Sequence, residues 1–115
     1  MTTAANVVIA IVALLHVYFL VLEMFLCEKP YGLRTFGMTP ERAAASKVLA
    51  MNQGLYNGFL VAGLVWGLVT GAFAVKVFFL ACVIVAGVFG GLTASRKILW
   101  VQALPALVAL GLLFF

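Results

Sequence analysis

The feature that most constrains this chain is an almost unbroken apolar stretch from Leu55 to Leu92, relieved only by Tyr56, Asn57, Thr70 and Lys76. One bilayer crossing takes about 20 residues, so the stretch is too long for a single pass. Thr70-Gly71 offers the tight turn that divides it. Composition points the same way. Hydrophobic residues make up 67% of 115 and charged residues 9%, whereas a soluble domain is about 25% charged. With a mean hydropathy of +1.28, the chain could not cover its surface with polar groups in water, and lipid is the solvent that fits it. The expected fold class is therefore all-α, an integral membrane bundle of four transmembrane helices.

The first apolar run, Ala4 to Cys27, is interrupted by Asn6, His16 and Glu23. No cation precedes it and no small-residue cleavage motif follows, so it is expected to be retained. Between Cys27 and Thr39, Pro30, Gly32 and Gly37 are expected to break any helix. Leu33, Phe36 and Met38 lie between the charges there, which sets this loop against headgroups or over the bundle end. Thr39-Pro40-Glu41 then has the chemistry of a helix start: a capping hydroxyl, a proline suited to the first position and an acid at the positive end of the dipole. That helix should run to about Val69, with Glu41 to Lys47 standing beyond the hydrocarbon. A third span follows the Thr70-Gly71 turn, with Lys76 near its outer end and free to snorkel. The last span carries Pro105, an expected kink. Spans of about 4–27, 45–69, 72–94 and 98–115 make one domain, 1–115. Gly54-x3-Gly58, Gly63-x3-Gly67-x3-Gly71 and the cluster Gly87, Gly90, Gly91 and Ala94 mark faces where helix backbones can approach closely, within one chain or between copies.

The net charge of +4 is a topology signal more than a partner signal. Lys29, Arg34, Arg42, Lys47, Arg96 and Lys97 fall in the two connections that face one side, while the other side has Lys76 and the terminal amine. The positive-inside rule then puts both termini on the outer side of the membrane, periplasmic or extracellular. No basic stripe is interleaved with aromatics, so no nucleic-acid partner is expected; the expected partners are the lipid bilayer, a small-molecule or lipophilic ligand, and further copies of the chain. Cys27 and Cys82 offer no disulfide framework, and with one histidine neither a metal nor a cofactor is expected. Trp66 and Trp100 fit the interfacial belts.

The candidate site comes from depth. Counting inward from the cation-rich side at about 1.5 Å per residue, Glu23, Asn52, Gln53 and Gln102 lie about 6 Å in. His16, Tyr56 and Asn57 form a second layer at about 14–16 Å. His16 and Glu23, seven apart, share a helix face, as do Gln53 with Asn57 and Asn52 with Tyr56. Amides between membrane helices often serve only as glue, at about 0.6 kcal/mol per hydrogen bond, and Glu23 has Lys47 or Arg96 as possible interfacial partners. Ionisable residues inside a span are nevertheless costly and by default functional. Two polar layers exceed what holding four small helices together requires.

Glu23, the Phe36-Gly37 pair, the run Asn-Gln-Gly-Leu-Tyr-Asn-Gly-Phe-Leu at 52–60, Ala86-Gly87, Thr93, Gln102 and Pro105-Ala106 together resemble a family of small bacterial inner-membrane proteins catalogued only as a domain of unknown function. The resemblance covers nearly the whole chain. It implies a four-helix bundle and a signature of Glu23, Asn52, Gln53, Tyr56, Asn57 and Gln102, and supplies no activity. The functional expectation is a polar intramembrane site open to the cytoplasmic side that binds or transports a small molecule or proton. A membrane enzyme of isomerase or epoxide-opening type acting on a lipophilic substrate, and a structural subunit or assembly factor, are the alternatives.

Overall fold

A backbone flanked by so many apolar side chains finds few side-chain partners, and a helix satisfies its hydrogen bonds within one segment. The computed structural model describes residues 2–115, and the terminal amine of Met1 lies outside the described residues. Six α-helices follow in order: α1 (Thr2–Phe25), α2 (Pro30–Phe36), α3 (Pro40–Ala45), α4 (Lys47–Thr70), α5 (Phe73–Thr93) and α6 (Leu104–Leu113). A π-helical turn, Leu99–Ala103, leads directly into α6. No strand occurs among the described residues. Helices α1, α4 and α5 are long and apolar enough to cross a membrane, and the apolar helix Leu99–Leu113 is shorter.

The connection after α1 departs from expectation. Pro30, expected to break a helix, starts one: at the first position its missing N–H is no loss and its fixed φ suits the helix. Gly32 lies buried within α2. A Cβ there would overlap the carbonyl oxygen of Leu26 and lie 2.6 Å from that carbonyl carbon, so the glycine permits a close approach to the end of α1. The Tyr18 and Tyr31 hydroxyls share a hydrogen bond between α1 and α2. Only Gly37, at φ 63°, stops α2, in the left-handed cap glycine adopts readily.

Thr39 caps α3 by accepting from the Arg42 N–H at 3.2 Å. The long helix expected from there is divided at Ser46, whose hydroxyl donates back to the Arg42 carbonyl at 2.8 Å and competes with the backbone ladder. At the other end of α4, Gly71 takes φ 71°, and the Thr70 hydroxyl accepts from the Ala72 N–H at 3.3 Å. Pro105 cannot donate to the helix ladder. The backbone just before it widens into the π turn, with Leu104 N–H bonded to the Leu99 carbonyl, so the expected kink takes the form of a π bulge.

The chain divides into two compact units, one made of the segment up to Leu15 with Leu60–Phe115, the other of His16–Phe59. In the first, α1, α4, α5 and α6 share a core of Ile9, Val12, Ala13, Leu64, Leu80, Val83, Ala106 and Ala109. Gly87 brings α5 against the π turn, where a Cβ would lie 2.7 Å from the Ala103 nitrogen. The second unit holds the later turns of α1, all of α2 and α3, and the first turns of α4.

Candidate functional site

Within the second unit, Gly54 sets how closely α4 can lie on α1. A Cβ at that position would run into the Met24 side chain and lie 3.3 Å from both Glu23 Cβ and the Leu20 carbonyl oxygen. One turn on, a Cβ at Gly58 would be 3.1 Å from Leu20 Cδ1. Asn57 shares this face, three residues from Gly54, and is 6% exposed. Its Nδ2 donates to Glu23 Oε1 at 2.5 Å. A carboxylate has two oxygens and about four lone-pair directions, so one amide donor leaves it capacity for others. Glu23 is only half-buried, and the site is not sealed.

The grouping differs from the depth count, which set Asn57 beside His16 and Glu23 beside Asn52 and Gln53. Asn57 lies about 15 Å along α4 from Lys47, whereas Glu23 is two residues from the end of α1. Helix α4 thus starts well before the level at which α1 stops. His16 is fully buried with its ring edge-on to Phe19, centroids 5.2 Å apart. Asn52, Gln53 and Tyr56 are exposed on α4, and the Tyr56 ring leans on Phe59. Gln102 is half-buried in the π turn and belongs to the first unit. Lys47, weighed as a partner for Glu23, instead pairs with Glu28 at 3.2 Å. Among the described residues no three of His, Cys, Asp and Glu come together as a metal site would need.

Sequence reasoning missed a second polar pair, in the first unit. Lys76, expected to snorkel outward, is 4% exposed, and its Nζ donates to Asn6 Oδ1 at 2.8 Å. Gly67 makes room for it: a Cβ there would be 2.9 Å from Lys76 Cγ. The available signal was Asn6, an amide early in the first span, together with the glycine row on α4 whose purpose was otherwise open.

Fold and site together define an all-helical protein with three helices able to cross a bilayer and a carboxylate–amide pair between two of them. The chain belongs to the family described as "Protein of unknown function (DUF1304)", whose model matches residues 10–114. It is 31% identical over 119 residues to "Uncharacterized protein YpaA" of Lactococcus lactis subsp. lactis (strain IL1403), covering 100% of both chains. No solved structure matches it.

Proposed function

We propose that this is a multi-pass protein of the bacterial inner membrane, crossing it four times with both termini periplasmic. In it, Glu23 and Asn57 form a polar site, reached from the cytoplasmic side, that binds or carries a small molecule or proton. The observation that carries this reading is the bond from Asn57 Nδ2 to Glu23 Oε1 inside two helices long enough to span. A carboxyl group within a spanning helix is costly unless it has work to do. The orientation rests on the cation count. The fourth crossing is supported by Ala106 and Ala109, through which α6 joins the core formed with α1, α4 and α5. Four helices are few for a complete pathway, so a carrier would work as an oligomer.

The test is Glu23→Gln in purified, reconstituted protein. Ligand retained in native mass spectrometry, and proton movement into dye-loaded vesicles, should both fall to background while thermal stability stays within a few degrees of the parent. Unchanged retention and flux would end this reading. Turnover of a lipophilic substrate in detergent, without a gradient, would replace it with an enzyme.

A further inference from the structure

A recess of about 350 Å³ opens where α1 ends and α4 begins, lined by Met24, Phe25, Cys27, Glu28, Lys29 and Lys47. We propose that it holds the zwitterionic headgroup of a membrane phospholipid, with a phosphodiester and a primary ammonium on one molecule. The lining is divided in the way such a ligand is divided. Met24, Phe25 and Cys27 offer an apolar wall, as the glycerol and first acyl carbons require. Glu28, Lys29 and Lys47 offer one negative and two positive groups. These residues sit at the cation-rich helix ends, the level at which headgroups lie.

Charge complementarity selects the class of headgroup. Glu28 and Lys47 pair at 3.2 Å with side chains 41% and 53% exposed, and an exposed pair of this kind holds weakly. Lys47 can therefore turn to a phosphate already drawn by Lys29, which leaves Glu28 needing a cation. An ammonium on the same headgroup supplies it, so the internal ion pair is exchanged for two external ones and no charge is stranded. A headgroup with a phosphate and no amine satisfies the lysines and leaves Glu28 beside an anion. The ligand's ammonium also has the N–H donors that a carboxylate accepts. This inference goes beyond the Glu23 reading and does not depend on it.

The experiment uses the full chain in detergent, mixed with defined lipids and read by native mass spectrometry as bound lipid per protein. The parent should retain phosphatidylethanolamine roughly five-fold better than phosphatidylglycerol, about the upper limit for an exposed ion pair. Glu28→Gln should remove that preference, and Lys29→Gln with Lys47→Gln should lower retention of both lipids. Equal retention of the two lipids by the parent, or a preference surviving in Glu28→Gln, overturns the proposal. Soluble glycerophosphoethanolamine should not be retained; binding comparable to that of the lipid would overturn the lipid as its source. The variants change exposed side chains, and helical circular dichroism matching the parent establishes that each retention value comes from folded protein.

Discussion

Replacing Gly32 by alanine separates two physical roles for that glycine by the sign of the effect. If it were a helix breaker, alanine would stabilise the segment, since glycine costs about 0.8–1.0 kcal/mol relative to alanine in a helix interior. In the structure Gly32 is already helical and buried. An added Cβ would overlap the Leu26 carbonyl oxygen, sit 2.6 Å from the Leu26 carbonyl carbon and lie 3.1 Å from Cys27 Cα. All three atoms are backbone, so no rotamer change relieves the clash. Ordinary carbon contacts lie near 3.5–4.0 Å, so α2 has to withdraw by about 1 Å or more. Overpacking costs about 1–3 kcal/mol and lies at the upper end against backbone that cannot give, so after the helix-propensity gain Gly32→Ala should still destabilise by about 2 kcal/mol. Cys27, 7% exposed beside the clash, is a local reporter. In a Cys82→Ala background, thermal unfolding in detergent should begin several degrees lower, and a thiol dye should label Cys27 faster well below the midpoint. A raised midpoint with unchanged labelling would refute the close-approach account and restore the helix breaker.

Three further outcomes follow from the first unit. Gly87→Ala should destabilise by up to about 2 kcal/mol after the helix-propensity gain, because its Cβ would meet Ala103 backbone and side-chain atoms at 2.7–3.0 Å. Gly111→Ala, with nothing within 4 Å of its Cβ, should stabilise by about 0.5–1 kcal/mol; thermal midpoints in the opposite order would discredit the packing. Asn6→Leu should cost about 1.5–3 kcal/mol by removing the acceptor of a charged donor. Asn6→Leu with Lys76→Met should recover most of it, and strict additivity in that double-mutant cycle would show that the bond carries no coupling.

The apolar runs made the long helices legible, because a backbone with so few polar side chains nearby has few other ways to satisfy itself. Thr39 could be recognised as a cap, and Thr70-Gly71 as a turn, from local chemistry that packing did not override. What failed were the residues whose role depends on a neighbour distant in sequence. Pro30 and Gly32 looked like breakers because composition reports conformational freedom and says nothing of how near another backbone comes. Lys76 looked like a snorkelling cation because a lysine near a span end has water within reach; it turned inward because Gly67 left space and Asn6 supplied an acceptor. Neither condition lies within its own helix.

The polar residues of α4 show which sequence signal should have been weighted more heavily. Depth along the axis grouped Asn52 and Gln53 with Glu23, but depth ignores rotation about the axis. At about 100° per residue, Asn52 and Tyr56 lie about 160° around the helix from Gly54, while Asn57 and Gly58 lie within about 60° of it. Helices meet where side chains are smallest, so the Gly54-x3-Gly58 row names the face of α4 that lies on α1. Only an amide on that face can reach a carboxyl group on α1, and in the run 52–60 that amide is Asn57. Gln53, about 100° from Gly54, falls at the edge of this face and is exposed. In a chain so poor in polar groups, the glycines select which of them can meet, and the Glu23–Asn57 pair depends on Gly54 as much as on its own two side chains.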